Sequence, residues 1–300
     1  MKRDITLDIV KGVACLLMIL AHPKTLHLTV DTDLTTFFWY VGFFAPVVFF
    51  ASVGVSLRYQ LNKRTKLQIS LNNLLLITFV YISQNFNFDS LFTALTLSTV
   101  MAVYLLKWNS AFLIIGVSTI DELLNYFAVS VRHFHGTLFS LIPWVGFIFL
   151  GDYLQKEKKM RLPVFILASA AALYLKLAGA AVTGQSPTPI FIALGIAIYS
   201  FVVLISPYLS KIPNVSGFLV FLGKNTLLFW WVHFFLLKTI FAKLGRMYAP
   251  YTWVLLLFTS AVVILMLNKL NKLTFAMNYH NFLPAVTRIG AWDTDRAIAC

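Results

Sequence analysis

Long apolar runs separated by short polar breaks fill the chain. Ten of them approach the ~20 residues that a helix needs to cross a bilayer. They fall at 5–22, 36–57, 67–83, 90–106, 110–129, 136–154, 162–180, 189–207, 217–242 and 251–267. The fifth is interrupted by Asp121 and Glu122. The runs are continuously apolar, whereas barrel strands would alternate over ~10 residues. The pattern predicts an all-α, polytopic integral membrane protein of about ten transmembrane helices. Residues 1–270 form the membrane domain and 271–300 a polar tail.

Composition agrees with the pattern. Of the 300 residues, 59% are hydrophobic, 16% aromatic and only 12% charged, with a mean hydropathy of +0.81. A soluble domain carries about 25% charged residues, so a soluble enzyme, a disordered protein and a nucleic-acid-binding domain are excluded. Two cysteines make no disulfide scaffold. The net charge of +13 would suggest nucleic acid in a soluble protein, but here the cations flank membrane helices. With the N-terminus inside, seventeen of the 24 Lys and Arg fall in cytoplasmic segments, against four (Lys24, Arg132, Lys243 and Arg246) in outer loops. That is a strong positive-inside bias, and an odd number of helices would spoil it. Both termini are therefore expected in the cytoplasm. The first run has no small-residue cleavage site and reads as a retained helix.

Ionisable groups within a span are costly and mark candidate function. The first helix carries Asp8 and Lys11, three apart and on one face. His22 follows Lys11 by eleven residues, close to three turns, which puts both on one stripe ~16 Å apart. A cation thus lies in the inner half and an imidazole near the outer end. A plainer reading stays open: Lys11 snorkels to the inner surface with Asp8 as partner, and His22 merely precedes Pro23. His233 lies among aromatics in Trp230-Trp231-Val232-His233-Phe234, as a packing residue or a functional one. His27, Asp31 and Asp33 occupy the first outer loop, where a polar substrate or solvent would meet them. His133 and His135 lack a third ligand in sequence view, so no metal is expected. Pro143-Trp144 predicts a kinked sixth helix. His280 carries no signal. The run Phe37-Phe38-Trp39-Tyr40 offers a face for a homodimer or for lipid.

Four stretches together resemble a known family. Arg3-Asp4-Ile5-Thr6-Leu7-Asp8-Ile9-Val10-Lys11-Gly12-Val13-Ala14, followed by Leu17-Met18-Ile19-Leu20-Ala21-His22, is similar to the opening of the transmembrane acyltransferase superfamily. That superfamily includes acyltransferase family 3 and the heparan-α-glucosaminide N-acetyltransferase-like proteins. The stretch 44–57 resembles the family's second helix. Leu141-Ile142-Pro143-Trp144-Val145-Gly146 resembles its Pro-Trp-Gly helix, and Leu222-Gly223-Lys224-Asn225-Thr226-Leu227 with His233 its late Leu-Gly-Lys/Arg-Asn segment. The match spans residues 3 to about 240.

The resemblance implies a membrane acyltransferase domain at 1–270 with a cytoplasmic tail at 271–300, in a bacterial plasma (inner) membrane. It would move an acyl group, commonly acetyl, from cytosolic acyl-CoA to a hydroxyl or amine of an extracytoplasmic sugar or glycolipid. The family's Arg-x10-His pair falls on Lys11 and His22. Lysine keeps the charge but lacks the bidentate fork. His22 would be the general base or an acyl carrier, with Asp8 beside Lys11 in the catalytic set. Lys11, Arg58 and Lys224 would hold the phosphates of CoA, and Trp144 and Asn225 the donor or its oxyanion. His27, Asp31 and His233 would contact the acceptor. The rival is a transporter or flippase of a polar or lipid-linked substrate, but the matching halves common among transporters are not found.

Overall fold

The computed structural model describes residues 5–83, 90–106, 108–114, 116, 141–180, 188–244 and 246–273. Among the described residues the chain is helical, with a single isolated bridge between Thr29 and Met247 and no strand. In order come α1 (Ile5–Thr25), α2 (Asp33–Gly42), α3 (Ala45–Leu61), α4 (Lys66–Ser83), α5 (Ser90–Leu105) and α6 (Leu141–Lys156). After a short turn follow α7 (Arg161–Leu177), α8 (Pro189–Leu209), α9 (Pro213–Lys224), α10 (Thr226–Leu236) and α11 (Ala249–Leu273). Each lies over one of the apolar runs. In an apolar medium no water satisfies the backbone, so a helix, which bonds its own N–H and C=O groups, is the local solution. Among the described residues, six helical stretches are long and apolar enough to cross a membrane: Ile5–Thr25, Asp33–Leu61, Lys158–Leu177, Pro189–Leu209, Thr226–Leu244 and Ala249–Lys269.

Three departures from the expected runs have local causes. The second run divides at Phe43-Phe44 between α2 and α3, with Pro46 entering the first turn of α3. The ninth run is broken at Asn225, so that α9 is a separate helix of 12 residues and the apolar crossing begins at Thr226. Beyond α10 the helix widens into a π turn over Leu237–Phe241. Most of the fifth run, including Asp121 and Glu122, lies outside the described residues. So do Arg132, His133, His135, His280 and the tail from 274. Pro143 is the third described residue of α6, so the turn before it, where a kink would form, also lies outside.

The core runs down the middle of the bundle. Phe50, Trp144, Phe149, Phe191, Tyr199 and Phe229 are its largest buried side chains. The outward faces are apolar too: Ile166, Leu167 and Tyr174 on α7, and Val254, Phe258 and Leu265 on α11, are exposed. Such a continuous apolar exterior suits hydrocarbon rather than water.

Gly42 of α2 meets the backbone of α1 at the Leu17 carbonyl, and two further helix pairs meet at backbone distance through a glycine from each side. A Cβ on Gly12 of α1 would overlap the Leu219 carbonyl of α9, and one on Gly223 of α9 would overlap the Asp8 carbonyl of α1. Gly54 of α3 and Gly151 of α6 stand in the same relation, against Ile148 and Ala51. Between apolar helices in lipid, contact of this closeness replaces the hydrophobic drive that water would supply. Gly54→Leu is expected to cost about 1–3 kcal/mol or more by overpacking. Gly217→Ala, where an added Cβ meets nothing within 4 Å, should be neutral or gain up to about 1 kcal/mol. Unfolding titrations in detergent check both.

Candidate functional site

The site grows from the α1–α9 crossing. From Gly12 and Gly223 each chain advances ten residues and arrives at a histidine, His22 on α1 and His233 on α10. Asp8 faces Gly223 and Gly12 faces Leu219, so α9 runs against α1, and it is the change of direction at Asn225 that lets α10 carry His233 to His22. The two imidazoles meet there, with His22 Nδ1 2.8 Å from His233 Nε2. On its far side His233 Nδ1 lies 2.8 Å from the Phe229 carbonyl oxygen, one turn earlier in α10. His233 is fully buried and His22 only partly so. Phe234 leans on both rings, at 4.6 Å from His22 and 4.9 Å from His233 between centroids, and Lys238 lies over its ring at 5.7 Å.

The joint at Asn225 lets α10 reach His22. The Asn225 amide donates to the Phe221 carbonyl at 2.8 Å and accepts from Asn268 Nδ2 of α11 at 3.0 Å. Thr226 Oγ1 donates to the Gly223 carbonyl at 2.8 Å. Side chains thus satisfy carbonyls at the break, the condition for irregular backbone in an apolar surround. Asn225 therefore serves first as a joint.

Lys11 and Lys224 are the sequence neighbours of Gly12 and Gly223. The crossing brings both cations near the Asp8 turn of α1, with Lys11 eleven residues or about 16 Å before His22 along the helix. Lys11 is half-buried and Lys224 exposed. Asp8 is buried at the same level, fourteen residues and about 21 Å from His22 along α1. The structure therefore brings Asp8 to Lys11's end of the helix and not to His22.

Arg58 lies elsewhere. Its Nε donates to Asp152 Oδ1 at 2.7 Å and its Nη2 to Oδ2 at 2.8 Å, while Nη2 also reaches the Leu106 carbonyl at 3.2 Å. Lys156 approaches the same carboxylate at 2.9 Å, and Ser110 Oγ donates to it. The guanidinium fork that would grip a phosphate is engaged by Asp152. Sequence reasoning missed Asp152. Its signal was available, as a carboxylate within the predicted sixth span. Trp144 is fully buried in the core, with its ring against Phe50, Phe147 and Phe191.

His27 and Asp31 follow the His22 end of α1. His27 adopts a left-handed backbone (φ 57°). Its N–H bonds to the Lys24 carbonyl at 2.9 Å, and that of Leu28 to the Pro23 carbonyl at 2.8 Å. This is a helix-terminating motif that usually takes Gly or Asn, so His27 ends α1. Asp31 pairs with Lys24 at 3.3 Å, and Lys24 also donates to Thr36 Oγ1 at 2.7 Å and covers the Trp39 ring at 5.7 Å. Trp39 in turn donates to Thr25 Oγ1 at 3.1 Å. The loop is held to the start of α11 by bonds from Val30 N–H to the Met247 carbonyl and from Met247 N–H to the Leu28 carbonyl, each 3.0 Å.

Among the described residues, no group of three or more His, Cys, Asp or Glu is placed to hold a metal ion. No family model, curated protein or solved structure matches this chain, so the family resemblance rests on its own residues. Two outcomes are expected at the periphery of the site. His27→Gly should keep the fold and gain about 1 kcal/mol by relieving the left-handed backbone. Asp152→Ala should lose about 3–5 kcal/mol, because it leaves a partly buried guanidinium unpaired. Thermal melts of the purified variants check both.

Proposed function

We propose that this chain is a multi-pass membrane acyltransferase of the bacterial inner membrane, with about ten spans and both termini in the cytoplasm. It moves an acyl group, in the simplest case acetyl, from cytosolic acyl-CoA to a hydroxyl or amine of an extracytoplasmic glycan or glycolipid. The observation that carries this reading is the partly buried His22 bonded to a buried second histidine at the end of α1 opposite Lys11. A histidine fixed in this way inside an apolar bundle has the makings of a proton acceptor.

The chemistry follows from the layout. A sugar hydroxyl is a poor nucleophile, and a neutral imidazole takes its proton as the oxygen attacks the thioester carbonyl. The new C–O bond forms, the C–S bond breaks, and the proton held by the imidazole passes to the departing thiolate. Lys11 and Lys224, both beside the α1–α9 crossing, supply positive charge for the donor's diphosphate. The pantetheine arm of a CoA thioester is an extended chain whose reach is comparable to the eleven-residue rise of about 16 Å from Lys11 to His22. The lysine at position 11 offers a point charge in place of a fork, so affinity for the donor rests on more than that residue.

Purified protein in liposomes should transfer or hydrolyse the acetyl group of radiolabelled acetyl-CoA. His22→Ala should lower turnover by about 100-fold or more while the protein stays folded and inserted. Undiminished turnover in that variant would remove His22 from the reaction.

A further inference from the structure

The two histidines are disposed more specifically than proximity requires. Their ring planes differ by only 7° and their centroids are 5.0 Å apart. With the nitrogens at 2.8 Å, that separation is close to the N···N distance plus one ring radius at each end. The rings therefore meet edge to edge in nearly one plane. The N–H bonds and lone pairs of imidazole lie in the ring plane, so a proton on one nitrogen points at the lone pair of the other, the favoured geometry of a hydrogen bond.

The far side of His233 decides which ring donates. A carbonyl oxygen accepts only, so the 2.8 Å contact with Phe229 O places a hydrogen on His233 Nδ1. In the neutral ring His233 Nε2 is then an acceptor. The Nδ1 of His22 facing it must donate, and the lone pair of neutral His22 is left on Nε2. The opposite polarity would set the lone pair of His233 Nδ1 against the carbonyl oxygen.

We propose that His233 is a positioning residue: anchored on the Phe229 carbonyl, it holds His22 as the Nδ1–H tautomer and so makes Nε2 of His22 the basic atom of the site. Nε2 belongs to the more accessible of the two rings. When Nε2 takes the proton of an acceptor hydroxyl, His22 becomes an imidazolium whose Nδ1–H bond to His233 is strengthened by the charge. The proton then leaves from the same Nε2 to the thiolate sulfur. His233 gains and loses no proton. In this arrangement an imidazole backed by a backbone carbonyl fills the role that a carboxylate plays for the histidine of a serine-protease triad.

What Nε2 does rests on the acyltransferase reading; which nitrogen carries the hydrogen does not. The test therefore has two arms. In the full chain in nanodiscs with 15N-labelled histidine, resonances assigned with His22→Gln and His233→Gln variants should show both rings protonated at Nδ1 and unprotonated at Nε2. A hydrogen on Nε2 of His22 overturns the proposal whatever the activity. In the second arm, His233→Leu should lower kcat at least about tenfold with KM for acetyl-CoA unchanged, and His22 should lose its single tautomer. His233→Gln, whose side-chain oxygen can accept from Nδ1–H, should restore the tautomer and part of kcat. Wild-type kcat and an unaltered His22 tautomer in the leucine variant would overturn the proposal. A wild-type protein inactive with every acyl donor, yet showing the Nδ1–H pair, would sink the acyltransferase reading and leave the tautomer assignment standing.

Discussion

The backbone contact between α1 and α9 governs the geometry of the molecule's interior. Two helices separated by ordinary side chains keep their axes 8–10 Å apart. Gly12 and Gly223 remove that layer, and each backbone rests on a carbonyl of the other. α9 runs against α1, with Asp8 facing Gly223 and Gly12 facing Leu219, and after the break at Asn225 α10 brings His233 to hydrogen-bond distance of His22. A larger residue at either glycine would widen the gap where the rings must touch. The histidine pair thus depends on this close contact together with the joint at Asn225.

The second glycine contact, between α3 and α6, stands beside a charged cluster rather than a neutral pair. Asp152 is almost wholly buried, at 1% exposure, and is met by Arg58, Lys156 and Ser110. The carboxylate joins α3, α6 and the segment after α5 through full hydrogen bonding, the condition under which a charge is tolerated inside a protein. Ion pairing therefore fastens α3 to α6, while a hydrogen-bonded pair of imidazoles joins α1 to α10.

Much of the architecture was legible in the residues because the physics behind it is local. A run of apolar residues becomes a helix in an apolar medium whatever its neighbours do, and α1, α4, α5, α7 and α8 begin within one residue of their runs. The stripe joining Lys11 to His22 needed only the helical period. The break at Asn225 was less visible, since apolar residues continue on both sides of it. The polar trio Lys224-Asn225-Thr226 was its trace, and the bonds that make it a stable joint come from α11 and from the preceding turn.

The amino-acid order alone determined which segments are helical, how apolar their surfaces are, where the cations concentrate and that a histidine and a lysine share one face of the first helix. All of these follow from composition and period over a few turns. Tertiary structure decided the rest. His22 and His233 are 211 residues apart and Arg58 and Asp152 are 94 apart, so neither pairing lies in any local pattern. Each depends on which helices cross, at which glycines and in which direction. Packing settles those matters because a close helix contact is a property of two surfaces together, and a single strand of sequence carries only one of them at a time.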